Sequence, residues 1–423
     1  MWFGVKNRLR FTIQKILLNP LVSVKPNSKI IFLALAYPKI PNSSNLYTDL
    51  MEEFRDQGHE VFVVAPAVNE IGLINEEGIQ VIRVKTLPLL NVNPIQKGIA
   101  NVLLPYQYKK AIKKHFKTEN LDLIIMPTPP ISLVDVASWL KKKYHSKLYL
   151  ILRDIFPQNA VDLGMMKKDG MLYNFFRKKE HLLYEVADEI GCMSQGNIDY
   201  VIDHNPKVKV EKLHLLPNWQ KEIPQFSEDK EALRKKYNFD DNFVIIFGGN
   251  IGLPQKLENI LAVAELFQPE DKVLFFIVGQ GTEKAKIEKL IKDRNIQNVI
   301  IKNSLPREDY QNIISVADCG LISLHENFTI PNIPSKSLSY FNAKIPVLAA
   351  IDVNTDYGTI IQDEVKAGVW APSNQPNLIK EKIDLLRSNP QLCKQMGENG
   401  YQYFVNNVTP EHSYEVIKSR MLI

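Results

Sequence analysis

Two apolar patterns alternate along the chain. Short unbroken runs, rich in β-branched and aromatic residues, occupy positions 30–35, 60–64, 121–126 and 147–152, with a helix-spaced stretch at 46–57 between the first two. Continuous runs of this kind between helices predict a parallel sheet covered on both faces. The rhythm breaks at Leu215-Leu216-Pro217-Asn218-Trp219 and a polar stretch to Asp241, which places a linker near 217–228. It then restarts at 243–247, 272–278, 299–301, 320–323 and 346–349, with a helix opening near Leu257. The expected fold class is α/β: two doubly wound, Rossmann-like domains, 1–217 and 228–400, facing a central cleft. A C-terminal helix, 401–423, is expected to pack back on the first domain.

The length of 423 residues suits two domains of this size. No apolar run approaches the roughly 18 residues needed to cross a bilayer, and the basic N-terminus lacks the pattern of a cleaved signal peptide. Three widely spaced cysteines, Cys192, Cys319 and Cys393, argue for a reducing compartment and against a disulfide framework or zinc site. The expected location is therefore cytoplasmic.

A net charge of +5 is modest, but its placement is informative. No acidic residue precedes Asp49, whereas Lys6, Arg8, Arg10, Lys15 and Lys25 do. Further basic clusters lie at Lys109, Lys110, Lys113, Lys114 and Lys117, and at Lys167, Lys168, Arg177, Lys178 and Lys179. Trp2, Phe3 and Phe11 thread the first cluster; Met165, Met166, Met171, Leu172, Phe175 and Phe176 thread the last. That mixture suits contact with an anionic membrane surface, here the inner face of the plasma membrane. Nucleic acid is not expected as a partner, because no reading module accompanies the charge. A solvated basic face is the plain alternative for any one cluster.

The candidate chemistry lies in the second half. Residues 334–350 read as a helix opening on Pro334-Ser335-Lys336, then a turn and a buried strand. Free N–H groups of a first helical turn, with the Lys336 ammonium, suit a phosphate or diphosphate. Gly248-Gly249-Asn250 reads as a second turn converging on the same cleft. Gly279-Gln280-Gly281 reads as a cleft-lining turn, since Lys284 stands where a dinucleotide fingerprint needs glycine. Asp154, after Arg153 at the end of a strand, suits a cleft wall; an ion pair fixing the loop is the alternative. His59 and His181 read as structural, while His325 is a possible sugar or phosphate contact. No Asp-x-Asp pair occurs, so neither metal nor cofactor is expected.

Taken in order, these segments resemble the GT-B glycosyltransferases, and within them the retaining enzymes of glycosyltransferase family 4 that build bacterial capsule and O-antigen units. The resemblance rests on Asn45-Leu46-Tyr47-Thr48-Asp49-Leu50, on Leu152 to Gly164 with its Arg153-Asp154-Ile155-Phe156-Pro157, on Leu216-Pro217-Asn218-Trp219, on Gly248-Gly249-Asn250-Ile251-Gly252 and on Pro334-Ser335-Lys336. It implies metal-independent transfer of a hexosyl or N-acetylhexosaminyl group from a nucleotide-diphosphate sugar to a lipid-linked, polyprenyl-diphosphate glycan. The implied catalytic residues are Asp154, Arg153 and Lys336. The implied donor-binding residues are Gly249, Asn250, Gly252, Lys256, Gly279, Gly281, Ser335, Ser337, Ser339 and Tyr340. Many members carry two glutamates eight positions apart; here the first falls near Pro331 and the second at Ser339. Glu326, Asp356 or backbone groups are the alternatives in their place. A nucleotide-sugar epimerase or hydrolase of the same fold, or a non-catalytic scaffold of a polysaccharide assembly, are the rival readings.

Overall fold

The computed structural model describes residues 27–40, 44–67, 69–88, 94–224 and 229–421. The basic-apolar segment 2–25 and part of the expected linker lie outside them.

The N-terminal half forms an eight-stranded sheet from β1 (Lys29–Leu33), β2 (Glu60–Pro66), β3 (Gly72–Glu76), β4 (Ile79–Val84), β5 (Leu123–Pro127), β6 (Lys147–Leu152), β7 (Glu189–Cys192) and β8 (Leu213–Leu215). Their spatial order is β3-β4-β2-β1-β5-β6-β7-β8. All neighbours pair parallel except the β3–β4 hairpin. The C-terminal half forms a six-stranded, wholly parallel sheet from β9 (Phe243–Asn250), β10 (Val273–Gln280), β11 (Val299–Lys302), β12 (Cys319–Ser323), β13 (Val347–Ile351) and β14 (Gly368–Pro372). Its order is β11-β10-β9-β12-β13-β14.

Both faces of each sheet are buried, which is why the strands read as unbroken apolar runs. Along β1, Ile31 and Leu33 enter one core while Ile30 and Phe32 enter another. Along β9, Val244 and Ile246 face one side, Ile245 and Phe247 the other. In such sheets, ligands sit beyond the carboxyl ends of strands where the winding direction reverses. Here those points are β1/β5 and β9/β12.

Three details depart from the expected layout. Gly248, Gly249 and Asn250 form no turn: β9 runs through Asn250, paired with β10 to Gln280. A boundary at 400/401 would divide the helix Pro390–Asn407. The following helix, Pro410–Met421, is the one on the first sheet, where Tyr414, Ile417 and Met421 join the core of Leu50 and Phe54. Finally, 217–224 is no loose linker. Trp219 is buried in the first core and donates to the Leu46 carbonyl at 2.6 Å. Meanwhile Asn218 donates to the Ile333 carbonyl at 2.8 Å, and Asn342 holds Ile223 through both its N–H and its carbonyl.

Candidate active site

A cleft of about 720 Å³ opens between the two halves. Its walls come from Ser44, Asn45, Leu46 and Asp49 of the first half; Trp219, Gln220 and Ile223 of the crossover; and Gly248, Gly249, Gly279, Tyr310, Ser335, Lys336 and Ser339 of the second. The first wall is set by a capped helix, Leu46–Asp56. The Asn45 side chain accepts from the N–H groups of Tyr47 and Thr48, and Thr48 Oγ1 accepts from the Asn45 N–H at 2.8 Å.

Three glycines let the opposite wall close up. A Cβ on Gly248 would lie 1.7 Å from the Tyr310 hydroxyl oxygen. A Cβ on Gly249, whose φ is +125°, would lie 2.7 Å from Lys336 Cε. A Cβ on Gly279 would lie 1.9 Å from the Gly249 carbonyl oxygen. Lys336 thus lies flat over the end of β9, with its ammonium 5.3 Å from the Phe247 ring centre. No carboxylate among the described residues pairs with it, and burial lowers its pKa from the usual 10.5. A half-buried ammonium without an anion, at the floor of a polar cleft, is suited to bind an anionic ligand.

The structure separates the expected donor residues. Gly249, Gly279, Ser335, Lys336 and Ser339 line the cleft together. Ser337 and Tyr340 do not. In the helix Lys336–Asn342 they lie on the opposite face, toward the core. Ser337 Oγ donates to the Pro334 carbonyl at 2.8 Å, and the wholly buried Tyr340 hydroxyl donates to the carbonyls of Ile246 and Leu321. Asn250 and Gly252 both turn to Gln255 Oε1, at 3.2 Å each, so neither faces the cleft. Gly281 packs against the Ile251 backbone, where a Cβ would meet its carbonyl oxygen at 2.1 Å. Lys256 lies beside His325 and Glu326 rather than on the cleft wall; Glu326 accepts from Asn259 at 3.0 Å and His325 Nδ1 from the Asn327 N–H at 3.2 Å. Asp356 is engaged across the two halves, by the Gly196 N–H at 2.7 Å and the Ser194 hydroxyl at 2.9 Å.

Arg153 and Asp154 follow β6, and both their N–H groups donate to Thr128 Oγ1. The Arg153 guanidinium stands 5.8 Å from the centre of the Tyr47 ring, one residue past the cleft-lining Leu46. Burial raises the Asp154 pKa, and Arg153 opposes the rise. The pair therefore sits behind the first wall. Gln220, Tyr310 and Gln311 line the cleft without having been anticipated. Single polar residues in a crossover and on a helix carry no pattern of their own. Among the described residues, no three His, Cys, Asp or Glu side chains gather as a metal site.

Comparison with known proteins shows what the chain is similar to. Residues 229–403 match the family described as Glycosyl transferases group 1. The probable glycosyltransferase WbjE of Pseudomonas aeruginosa is 24% identical over 295 residues, 69% of this chain and 72% of that one. The putative colanic acid biosynthesis glycosyl transferase WcaI of Escherichia coli (strain K12) is 31% identical over 225 residues, 51% of this chain and 54% of that one. In fold, the chain is similar to sucrose-phosphate synthase from Thermosynechococcus elongatus, with a TM-score of 0.72, 16% identity and coverage of 93% and 98%. It is also similar to Anabaena HepE in complex with UDP-glucose, with a TM-score of 0.65, 14% identity and coverage of 92% and 98%. Two largely parallel α/β sheets facing one cleft give this chain the GT-B fold, and residues 229–403 carry a glycosyltransferase group 1 domain.

Proposed function

We propose that the protein transfers a sugar, with retention of anomeric configuration, from a nucleotide-diphosphate sugar to a lipid-linked polyprenyl-diphosphate glycan during surface polysaccharide synthesis. The observation that carries this reading is Lys336: a cation with no carboxylate partner among the described residues, laid over Gly249 at the cleft floor. As the sugar departs, charge grows on the diphosphate oxygens. A preorganised ammonium in a partly dry site stabilises that charge more than water would. The leaving phosphate accepts the acceptor's proton, so no strong protein base is required. Asp154, behind the first wall and with its pKa raised by burial, acts through that wall rather than on the acceptor itself. Arg153 positions that loop against Tyr47.

An exposed apolar face supports a lipid-linked acceptor. Ile99, Val102, Leu103, Leu172 and Phe175 line one shallow groove between the helices Pro94–His115 and Met171–Val186. The first of these helices contains no Asp or Glu. Such an exposed apolar patch marks an interaction surface.

The test is binding followed by turnover. Thermal stability measured with UDP, GDP and their sugar conjugates should rise for one nucleotide family, and the rise should vanish in Lys336→Ala. Product from a polyprenyl-diphosphate sugar acceptor should keep the donor's anomeric configuration by NMR, with or without a chelator. Absence of any nucleotide effect, or inverted product, would overturn the reading.

A further inference from the structure

The helix Met171–Val186 presents two unlike surfaces side by side. Leu172, Phe175 and Phe176 line the apolar groove they share with Ile99 and Val102. Tyr173 and Arg177 instead line a polar pocket of about 310 Å³, together with Lys168, Tyr200 and His204. Ile155 and Pro157, just past Arg153 and Asp154, border it from the first half, and Thr329 borders it from the second. The pocket therefore lies on the seam between the halves. Its donors are held ready. Arg177 Nη1 donates to the Glu180 carboxylate, and Nη2 donates to the His204 carbonyl at 2.7 Å. A guanidinium has five N–H donors, so three remain for a ligand. Glu180 is occupied in fixing this cation, and its other oxygen accepts from the Tyr184 hydroxyl at 2.9 Å. The His204 ring stacks on Tyr200 at 3.9 Å and steadies that phenol. The Lys168 ammonium and the Tyr173 and Tyr200 hydroxyls have no hydrogen-bond partner among the described residues.

We propose that this pocket binds the diphosphate of the lipid-linked acceptor, with Lys168 and Arg177 as its cations and Tyr173 and Tyr200 as its hydroxyl donors. This rests on the lipid-linked reading above. A polyprenyl-diphosphate glycan has three parts in fixed order: hydrocarbon, diphosphate, sugar. The protein offers matching surfaces in the same order: apolar groove, polar pocket, seam between the halves. Leu172 and Tyr173 are consecutive on one helix, so hydrocarbon and diphosphate can be held next to each other. The planar guanidinium fork suits the paired oxygens of a diphosphate. A free diphosphate carries the same charge but has no hydrocarbon for the groove, so Leu172 separates the two sources.

The experiment is titration calorimetry on the full chain, with the cleft first saturated by UDP or GDP, whichever stabilises the protein, so that Lys336 is occupied. The probes are geranyl diphosphate, geraniol and inorganic pyrophosphate. Wild type should bind geranyl diphosphate about tenfold or more tightly than either of the others. Arg177→Lys keeps a charge beside Glu180 but loses the fork, and should weaken geranyl diphosphate by about tenfold. Lys168→Gln should weaken it similarly and leave the melting temperature unchanged, because that side chain is exposed. Leu172→Asp should weaken geranyl diphosphate and leave pyrophosphate as in wild type. Pyrophosphate binding as tightly as geranyl diphosphate would mean that the pocket takes a free diphosphate, and overturns the inference. So does geranyl diphosphate binding that ignores both Arg177→Lys and Lys168→Gln, a result that leaves the lipid-linked reading standing. If wild type binds nucleotide but no geranyl diphosphate, the lipid-linked reading falls, and this inference with it.

Discussion

The Asp356 carboxylate, beyond β13 of the C-terminal sheet, accepts a 2.7 Å hydrogen bond from the N–H of Gly196 in the N-terminal half. Gly196 opens the helix Gln195–His204, where unpaired N–H groups and the helix dipole favour an anion. Ser194 adds its hydroxyl at 2.9 Å. Nearby, Asp162 accepts from the Thr329 N–H at 2.8 Å. Carboxylates on both sides thus bridge the two halves. Asp356→Ala should lower unfolding free energy by about 1–3 kcal/mol, the cost of orphaning a donor from a charged partner. Gly196→Ala should act in the same direction, because its Cβ would meet the carboxylate at 2.7 Å. Chemical denaturation measures both. Two variants as stable as wild type would show that the bridge contributes nothing.

Binding at Lys336 carries a pH signature with a definite sign. In the free protein, burial holds the Lys336 pKa below 10.5; a bound diphosphate raises it. Affinity should therefore be flat at low pH and fall as pH rises through the lowered free-state value, levelling off only above the value in the complex. For folding, the sign is opposite. Between the lowered folded pKa and 10.5 the unfolded chain binds more protons, so this group's contribution to stability rises with pH. Lys336→Ala should cost about tenfold to a hundredfold in affinity and abolish the alkaline fall. A nucleotide affinity unchanged across the alkaline range would contradict the role given to this ammonium.

Gly248 is tested by filling its missing volume. Gly248→Ala places a methyl 1.7 Å from the Tyr310 hydroxyl, so the helix Arg307–Val316 must shift away from β9. Overpacking of this kind costs about 1–3 kcal/mol. The expected result is lower stability together with weaker nucleotide binding. Adding Tyr310→Ala should restore part of the loss, because it removes the ring that the methyl meets. Additive losses in the double variant would place the defect elsewhere.

The sheets were legible because burial on both faces leaves no polar alternation in their strands. Positions 30–33 and 243–247 stand out for that reason, whereas the last three residues of β9, 248–250, read as a turn. The β3–β4 hairpin was not legible. Its outer strand alternates exposed and half-buried residues, and its buried charge, Glu76, is matched by Arg83 at 2.8 Å rather than by any neighbour in sequence. At the site, Lys336 and Gly249 were legible as residue types that phosphate binding needs. The face on which each helical residue lies was not. Ser335, Lys336, Leu338 and Ser339 turn to the cleft, while Ser337 and Tyr340 turn to the core. Only the docking of that helix on β12, where Tyr340 fills the space above Gly320, decides between them. Gln220 meets its partner Ser339 only across 119 residues of chain.

The exposed face between Pro94–His115 and Met171–Val186 gives the membrane reading its own test. Met171 is 93% exposed and Leu172 52%, so neither contributes much to the core, whereas Phe176 is buried and does. Leu172 shares its groove with Ile99 and Val102, and lysines 110, 113, 167 and 168, on the same two helices or just before the second, are exposed. Apolar insertion and attraction to anionic headgroups are separable contributions, since only the second is screened by salt. Sedimentation with vesicles containing anionic lipid should bring the protein down at low salt, and less of it at high salt or with zwitterionic vesicles. Met171→Asp with Leu172→Asp should weaken binding by about tenfold or more at every salt concentration while leaving the melting temperature near wild type. Equal sedimentation of this variant and wild type would exclude this face as the point of contact, leaving the charge clusters alone to account for any binding that remains.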